Sequence, residues 1–448
     1  MDRRHFMRGG LAAAAGAALA ACGGGSSDGT ASDLAIEEAE DRSSTTTSTP
    51  TGTTLAPPAN PKARVIVIGG GMAGATVSKY LRLWGDAIDV TLVEREPSYT
   101  SCILSSLVLT GQRSLSSLSF GYAALRDRYG VRTVFDTVKA IDTSAARVTL
   151  ASGKVLEADR IVLAPGIDFD PVAGLGDPLA MPHAWKAGPQ TTALARQLSA
   201  MSTSGVVVLT IPKAPYRCPP GPYERACLLA DWLRVRKPRG KLIVLDANPD
   251  FVTEKDNFSR AFFDLHGNVI EYRTNVVIDH VDTTSRTLFT NTGAVRGDVV
   301  NLIPSQRAPA LVRDSGLANA TEGRFAAVDV LSYASTAARR VHVIGDASAT
   351  TQPKAGHIAN QEAKVCADAL SRILAGGSPD PAPVTNSACF STITMSEASW
   401  LQAVFQYSPS AGAMAPVAEA SGASSGWNGD HFEDMTRWFG ALMADSFA

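Results

Sequence analysis

Residues 64–74 read Arg-Val-Ile-Val-Ile-Gly-Gly-Gly-Met-Ala-Gly. The β-branched run from Arg64 to Ile68 predicts a short buried strand, and the stretch from Met72 through Leu83 predicts a helix. Between them the glycines keep the spacing of a dinucleotide-binding turn. Gly69 makes the tight turn, Gly71 lets the backbone approach a pyrophosphate, and Gly74 lets helix and strand pack closely, with the helix N-terminus toward the phosphates. A second strand, Ile88 to Val93, ends in Glu94, 20 residues after Gly74, where an acid binds a ribose hydroxyl. The competing reading is a Rossmann-like fold with no nucleotide.

A chain of 448 residues with 45% apolar and 19% charged side chains can bury a large core and is too long for one ordinary domain. Lys and Arg total 41 against 43 Asp and Glu, a net charge of −2 that excludes the usual basic footprint of a nucleic-acid binder. The seven histidines are scattered, so no metal centre is expected. No apolar run reaches the roughly 18 residues needed to span a bilayer.

The N-terminus reads as an address. Arg3, Arg4 and Arg8 precede the short apolar run Leu11 to Ala21, which predicts an export signal over residues 1–21. Arg3 to Met7 resembles a twin-arginine signal, and Leu19, Ala20, Ala21 and Cys22 resemble a lipoprotein cleavage box. The expectation is a periplasmic protein with a membrane tether through lipidated Cys22; an ordinary signal with an incidental Cys22 competes with it. Residues 22–62 are rich in Ser, Thr, Gly and Pro and predict a flexible leash.

Further along, Arg340 to Asp346 reads RVHVIGD, a strand ending in Gly345 and Asp346. It resembles the second flavin motif of two-dinucleotide-domain flavoproteins, in which the aspartate binds the ribitol chain of FAD. Leu163 to Gly166 (LAPG) resembles the motif joining their two domains. These matches imply FAD at the first site, with Glu94, Arg95, Val138 and Ala164 among its contacts. A helix beginning near Gly356, with Lys354 beside it, is expected to aim positive charge at the flavin pyrimidine edge. A solvated lysine at a helix start is the bland alternative.

A second Rossmann-like unit is predicted from strand Gly205 to Leu209, helix Tyr223 to Arg236 and strand Lys241 to Asp246. Its first turn, Thr210 to Gly221, holds prolines and Cys218 where a nicotinamide site needs phosphate-cradling glycines. The NAD site is therefore expected to be lost, with electrons entering through sulfur.

Of six cysteines, Cys227 and Cys366 sit at helical spacing among apolar residues and read as core thiols. Cys218 precedes a helix start beside Arg217, an environment expected to favour thiolate. Pairing Cys218 with Cys389 would close a loop of about 170 residues, worth roughly 5 kcal/mol in the chain-entropy model, so a structural and a redox disulfide are both open. No Cys-x-x-Cys-His occurs, so this chain cannot attach a c-type haem by the usual motif.

From Arg64 to Ala448 the chain resembles the flavoprotein subunit of flavocytochrome c sulfide dehydrogenase. The resemblance is carried by Tyr99 to Leu104 (YTSCIL), Pro182 to Gly188 (PHAWKAG), Tyr216 to Ala226 (YRCPPGPYERA), Asn301 to Arg307 (NLIPSQR), His342 to Ala347 (HVIGDA) and Asn386 to Ser391 (NSACFS). It implies that Cys218 and Cys389 form a redox disulfide beside the flavin and that Cys102 is a thioether link to FAD. It also implies sulfide as substrate and a c-type cytochrome subunit as electron acceptor, with Cys218 attacked and Cys389 on the flavin side. The implied α/β architecture has two Rossmann-like domains: an FAD domain over 63–167 and 299–378, and a degenerate NAD-like domain over 168–298. A C-terminal interface domain covers 379–448.

Three rival readings remain: a sulfide:quinone oxidoreductase, a catalytically inactive docking lipoprotein, and a thiol or coenzyme A disulfide reductase. The tail Asp430 to Ala448 is amphipathic with an acidic polar face, which predicts packing against protein rather than lipid. The Ala-, Ser- and Gly-rich run Ser408 to Gly426 predicts a mobile surface loop.

Overall fold

A computed structural model describes residues 54–448, and the export signal, Cys22 and most of the leash lie outside the described residues. The first strand, Ala63–Ile68, is flanked in parallel by Ile88–Glu94 and Arg160–Leu163. Arg132–Phe135 extends the sheet on one side, and Ala338–Val343 extends it on the other. The first strand is apolar at successive positions because both its faces are covered. Val65 and Val67 join one core cluster, while Ile66 and Ile68 join another on the opposite face.

The helix Met72–Trp84 follows the glycine turn and is buried along nearly its whole length. A Cβ on Gly74 would lie 1.7 Å from the Gly69 carbonyl oxygen, so only glycine lets this helix sit so close to the strand end. The long helix Gly356–Leu374 packs beside it through Ala359, Ala363, Cys366, Ala367 and Leu370, which recur at helical spacing. Cys366 and Cys227 are both fully buried, as their apolar neighbours predicted.

The second sheet is all parallel, in the order Ile270–Arg273, Lys241–Asp246, Val206–Ile211 and Val299–Asn301. The helix Gly221–Arg236 covers it and starts two residues earlier than predicted, because Pro222 is tolerated in a first turn. Val299–Asn301 pairs with Val206–Ile211, so the second Rossmann unit extends past the predicted boundary at 298.

The C-terminal part is an antiparallel sheet, Val384–Thr392 against Ala398–Ser408, followed by Ala413–Pro416. The predicted loop from Ser408 to Gly426 is therefore corrected: Met414 is 1% exposed and packs with Phe405, and Gly422–Ala423 also pairs with the long strand. The last helix, Gly429–Phe447, returns to the first domain. It buries Met435, Phe439, Leu442, Met443 and Phe447 in the cluster that surrounds the glycine-turn helix, roughly 1.5–3 kcal/mol for each. Phe447 stacks on Tyr99 with ring centroids 5.3 Å apart.

Polar contacts lock this helix. Asp445 accepts from Tyr80 Oη at 2.5 Å, Asn360 Nδ2 at 2.7 Å and Lys364 Nζ at 2.8 Å. Burial pushes its carboxyl up, but Lys364, Tyr80 and Asn360 together hold it below the usual range. A depressed pKa contributes stability that is complete above the carboxylate range and is lost as the pH falls through it. Asp445→Ala should destabilise the protein by about 2 kcal/mol near neutral pH. In urea melts the difference between variant and wild type should be full at neutral pH and shrink as the pH falls below the ordinary carboxylate range.

Candidate functional site

The two Rossmann units and the C-terminal sheet enclose a cavity of about 680 Å³, a volume suited to a large cofactor. Its wall includes Gly69, Gly71, Glu94, Arg95, Cys102, Val138, Ala164 and Asp346, together with Cys218 and Cys389. Glu94 closes the nucleotide end: Oε2 accepts from Gly70 N at 2.7 Å, and Oε1 accepts from the amides of Arg95 and Glu96. Asp346 has a buried Oδ1 without a hydrogen-bond partner on the cavity wall. An orphaned carboxylate oxygen beside an open cavity fits a polyhydroxyl chain such as the ribitol of FAD.

Two predicted cofactor residues lie off the wall. Gly74 serves packing, as described. Lys354 is a correction: its Nζ donates to Ser348 O at 2.6 Å and sits 3.9 Å from the centre of the Phe325 ring. Burial lowers its pKa, while Asp346 and Glu362 favour the charged form. Lys354 is not part of the cavity wall, and its carbonyl accepts from Cys218 N at 2.6 Å. Glu362, which the sequence reading missed, accepts from Gly345 N at 2.6 Å and so braces the turn that presents Asp346.

Cys218 has a left-handed backbone, φ 58°, at the mouth of the helix Gly221–Arg236. A Cβ on Gly221 would come within 2.8 Å of its sulfur, so glycine there leaves room for Sγ. Cys389 comes from the strand Val384–Thr392, whose Ala388 N donates to His357 Nδ1 at 2.9 Å. Both are free thiols in this structure. The expected low pKa of Cys218 is corrected: burial, then Cys389 and Glu224, push it well above the usual thiol range, and Arg217 opposes them only in part. Burial likewise pushes Cys389 up to about 12.

Glu224, also missed, lines the cavity one turn into the same helix. Its Oε1 accepts from Thr392 Oγ1 at 3.1 Å. Burial raises it to about 7, against the pull of Thr392 and Arg225 and with the push of Glu254. Its position, six residues after Cys218 in the quoted segment, was the available signal. Ala187 N points at Cys102 Sγ at 3.4 Å, and Arg217 and Lys186 also line the cavity.

Three of the segments quoted from the sequence, 182–188, 216–226 and 301–307, meet at Arg225, which is 1% exposed. It donates to Ser106 Oγ, the carbonyls of His183 and Ala184, and Asn301 Oδ1, and it lies 4.7 Å from the Trp185 ring centroid.

At the end of the second sheet, where an acid would bind a nicotinamide-nucleotide ribose, Asp246 is already occupied. Its Oδ2 accepts from Tyr223 Oη and Tyr272 Oη, both at 2.8 Å, and its Oδ1 accepts from Asn248 N and Nδ2. Phe251 covers the two tyrosine rings. The chain's own side chains fill this position.

Residues 63–199 match the family model described as pyridine nucleotide-disulphide oxidoreductase. Residues 191–304 match the central region of the sulfide dehydrogenase [flavocytochrome c] flavoprotein chain, and residues 381–447 match the flavin-binding region of flavocytochrome c sulphide dehydrogenase. The flavoprotein chain of sulfide dehydrogenase [flavocytochrome c] from Chlorobaculum thiosulfatiphilum is 47% identical over 45 residues, 10% of this chain and 94% of that relative. A sulfide-quinone reductase of Aquifex aeolicus is 29% identical over 102 residues, 23% of this chain and only 24% of the relative. Among solved structures, the sulfide:quinone oxidoreductase of the same organism has a TM-score of 0.69 at 19% identity, covering 86% of this chain and 91% of that one, a likeness of fold. The matched central and flavin-binding regions are the two that deliver Cys218 and Cys389 to one cavity, and on these matches the chain belongs to the family of FAD-binding flavoprotein chains of flavocytochrome c sulfide dehydrogenase.

Proposed function

We propose that this protein oxidises sulfide at a Cys218–Cys389 disulfide and passes the electrons by way of FAD to a separate c-type cytochrome subunit. The observation that carries this reading is that two cysteines, from segments far apart in sequence, line the same cavity together with Glu224. Bound FAD supplies a two-electron acceptor there. The glycine turn and Glu94 would hold its nucleotide end, Asp346 would hold its ribitol chain, and Cys102 would be the residue that links to it as a thioether.

Hydrosulfide attacks Cys218 Sγ, the S–S bond breaks, and Cys218 carries a persulfide while Cys389 leaves as a thiolate. A carboxylate raised to about 7 is matched to receive the persulfide proton near neutral pH, and Glu224 is placed for it. A second hydrosulfide takes the outer sulfur from Cys218 and leaves as a hydrodisulfide, the simplest polysulfide, so both cysteines stand as thiolates; re-forming the Cys218–Cys389 bond then gives up the two electrons that bound FAD would accept. The acceptor is a separate subunit because this chain has no haem-attachment motif. The last helix buries its apolar face in its own core and exposes Glu433, Asp434 and Arg437, which disfavours docking on a bilayer as a quinone reductase would.

Mixed with sulfide in a stopped-flow spectrometer, the wild-type flavin should bleach, and Cys218→Ser should abolish that bleaching while retaining FAD. NADH should bleach neither protein, since Asp246 is taken and the phosphate-binding glycines are missing. Sulfide bleaching retained in Cys218→Ser would reject the disulfide chemistry. Denaturing precipitation should leave yellow protein with a flavin-modified Cys102 peptide by mass, and Cys102→Ala should release its flavin to the supernatant. We also propose export by the twin-arginine route and acylation at Cys22; acyl mass on the mature N-terminal peptide is expected, and its absence from membrane-fraction protein would exclude the tether.

A further inference from the structure

The short stretch 352–357, which leads into the helix Gly356–Leu374, is bonded to both cysteine-bearing segments. The carbonyl of Lys354 accepts from Cys218 N at 2.6 Å. His357 Nδ1 accepts at 2.9 Å from Ala388 N, the amide of the residue just before Cys389. Earlier on the same strand, Thr385 Oγ1 accepts from Gln352 Nε2 at 2.7 Å. Cys218 comes from the turn of the second Rossmann unit and Cys389 from the C-terminal sheet, yet both are held to this one stretch.

Each of these bonds has a local cause. The strand Val384–Thr392 is an edge of its sheet, with Ala398–Ser408 on its other side. An edge strand leaves alternate amides without a ladder partner, and the imidazole takes the one at Ala388. A ring nitrogen that accepts carries no proton, so His357 is neutral with its hydrogen on Nε2. Burial agrees, pushing its pKa down to about 4. Gln352 and Thr385 are 4% and 1% exposed, and Gln352 Oε1 also accepts from Tyr333 Oη at 3.3 Å, so that bond is sealed from water. Lys354 gains a role here: its Nζ, fixed on Ser348 O and over the Phe325 ring, steadies the residue whose carbonyl holds Cys218. Cys218 needs such a hold, because its left-handed backbone, φ 58°, is uncommon for a residue other than glycine.

We propose that the stretch 352–357 is a clamp that sets the approach of Cys389 to Cys218, with His357 as a positioning residue that acts through the amide of Ala388. The inference rests on the reading in which these two cysteines form a disulfide, and deepens it. Re-forming the S–S bond takes two electrons from the two thiolates, which bound FAD would accept, and the clamp itself gives and takes neither electrons nor protons. Its effect is on the encounter, since a sulfur already held near its partner closes the bond without a search. With Ala388 N released, the edge strand gains freedom that closure must then remove, which weakens the disulfide and slows its return in each turnover.

The test uses the FAD-loaded protein with His357→Leu and His357→Asn. Each is equilibrated without air in mixtures of reduced and oxidised dithiothreitol, quenched in acid and denatured, and the free thiols of Cys218 and Cys389 are counted by alkylation and peptide mass, a readout that needs no turnover. His357→Leu should keep its FAD, lose half its disulfide at a reduced-to-oxidised ratio about tenfold lower than wild type, and bleach about tenfold more slowly with sulfide. His357→Asn, whose amide oxygen stands in for Nδ1 but offers nothing at Nε2, should restore both values, which a merely space-filling role would not do. A wild-type ratio in His357→Leu would overturn the clamp and leave the disulfide reading standing. Equal losses in His357→Leu and His357→Asn would also overturn it, by moving the role to Nε2. A wild-type protein with no Cys218–Cys389 disulfide at any ratio would remove the reading and the clamp together. If His357→Leu fails to fold, the isosteric Thr385→Val, which frees Gln352 Nε2, should still lower the ratio about threefold, and an unchanged ratio counts against the clamp.

Discussion

The arrangement of the site depends on one buried guanidinium. Among the described residues Arg225 has no carboxylate hydrogen-bond partner, and its charge is met by two carbonyls, an amide oxygen, a hydroxyl and the face of Trp185. Burial lowers its pKa to about 10, so it remains charged at neutral pH. Hydrogen bonds to a charged group are worth about 1.5–3 kcal/mol each, and a lysine has neither the fork nor the reach to make all of them. These bonds draw the segments around Ser106, His183 and Asn301 onto the helix that starts just past Cys218. The same cation pulls against the rise in the pKa of Glu224, its neighbour in sequence. Packing and proton chemistry are therefore set by one side chain.

Around that anchor the cavity divides by chemistry. At the nucleotide end the protein offers backbone amides, Glu94 and the unpaired oxygen of Asp346. At the sulfur end it offers thiols and carboxylates in a poorly solvated wall. Burial is the first cause of the raised pKa at Cys218, Cys389, Glu224 and Glu254 alike. A wall of this kind disfavours the charges that reduction would leave on sulfur, and it holds protons until a base is positioned to move them. The last helix seals the first domain, its Phe447 stacking on Tyr99 and its Trp438 reaching the cavity edge beside Phe390.

Much of this was legible because its causes are local. The glycine spacing dictates the turn, the double-sided burial of Val65 to Ile68 shows as an unbroken β-branched run, and the missing glycines after Leu209 foretell the altered second unit. Cys218 and Cys389 could be singled out, but their proximity came only from resemblance. Properties that depend on distant contacts were misread or missed. A helix start and Arg217 argue for thiolate at Cys218, yet the enclosing wall outweighs them. Lys354 is adjacent to the helix that faces the site, but an aromatic ring and a carbonyl capture its ammonium. The run Ser408 to Gly426 has too few apolar residues to announce strands, and its order comes from pairing with the apolar strand before it.

The occupied carboxylate at Asp246 also bears on how this chain could be altered. Tyr223, Tyr272 and Asn248 satisfy every contact of that carboxylate, so removing any one of them to readmit a ribose strands a buried acid or phenol before a cofactor can compensate. Glycines would also have to return among the prolines that precede the helix. No single replacement would open a nucleotide site, so several would have to arrive together, and the second Rossmann unit is held to scaffolding.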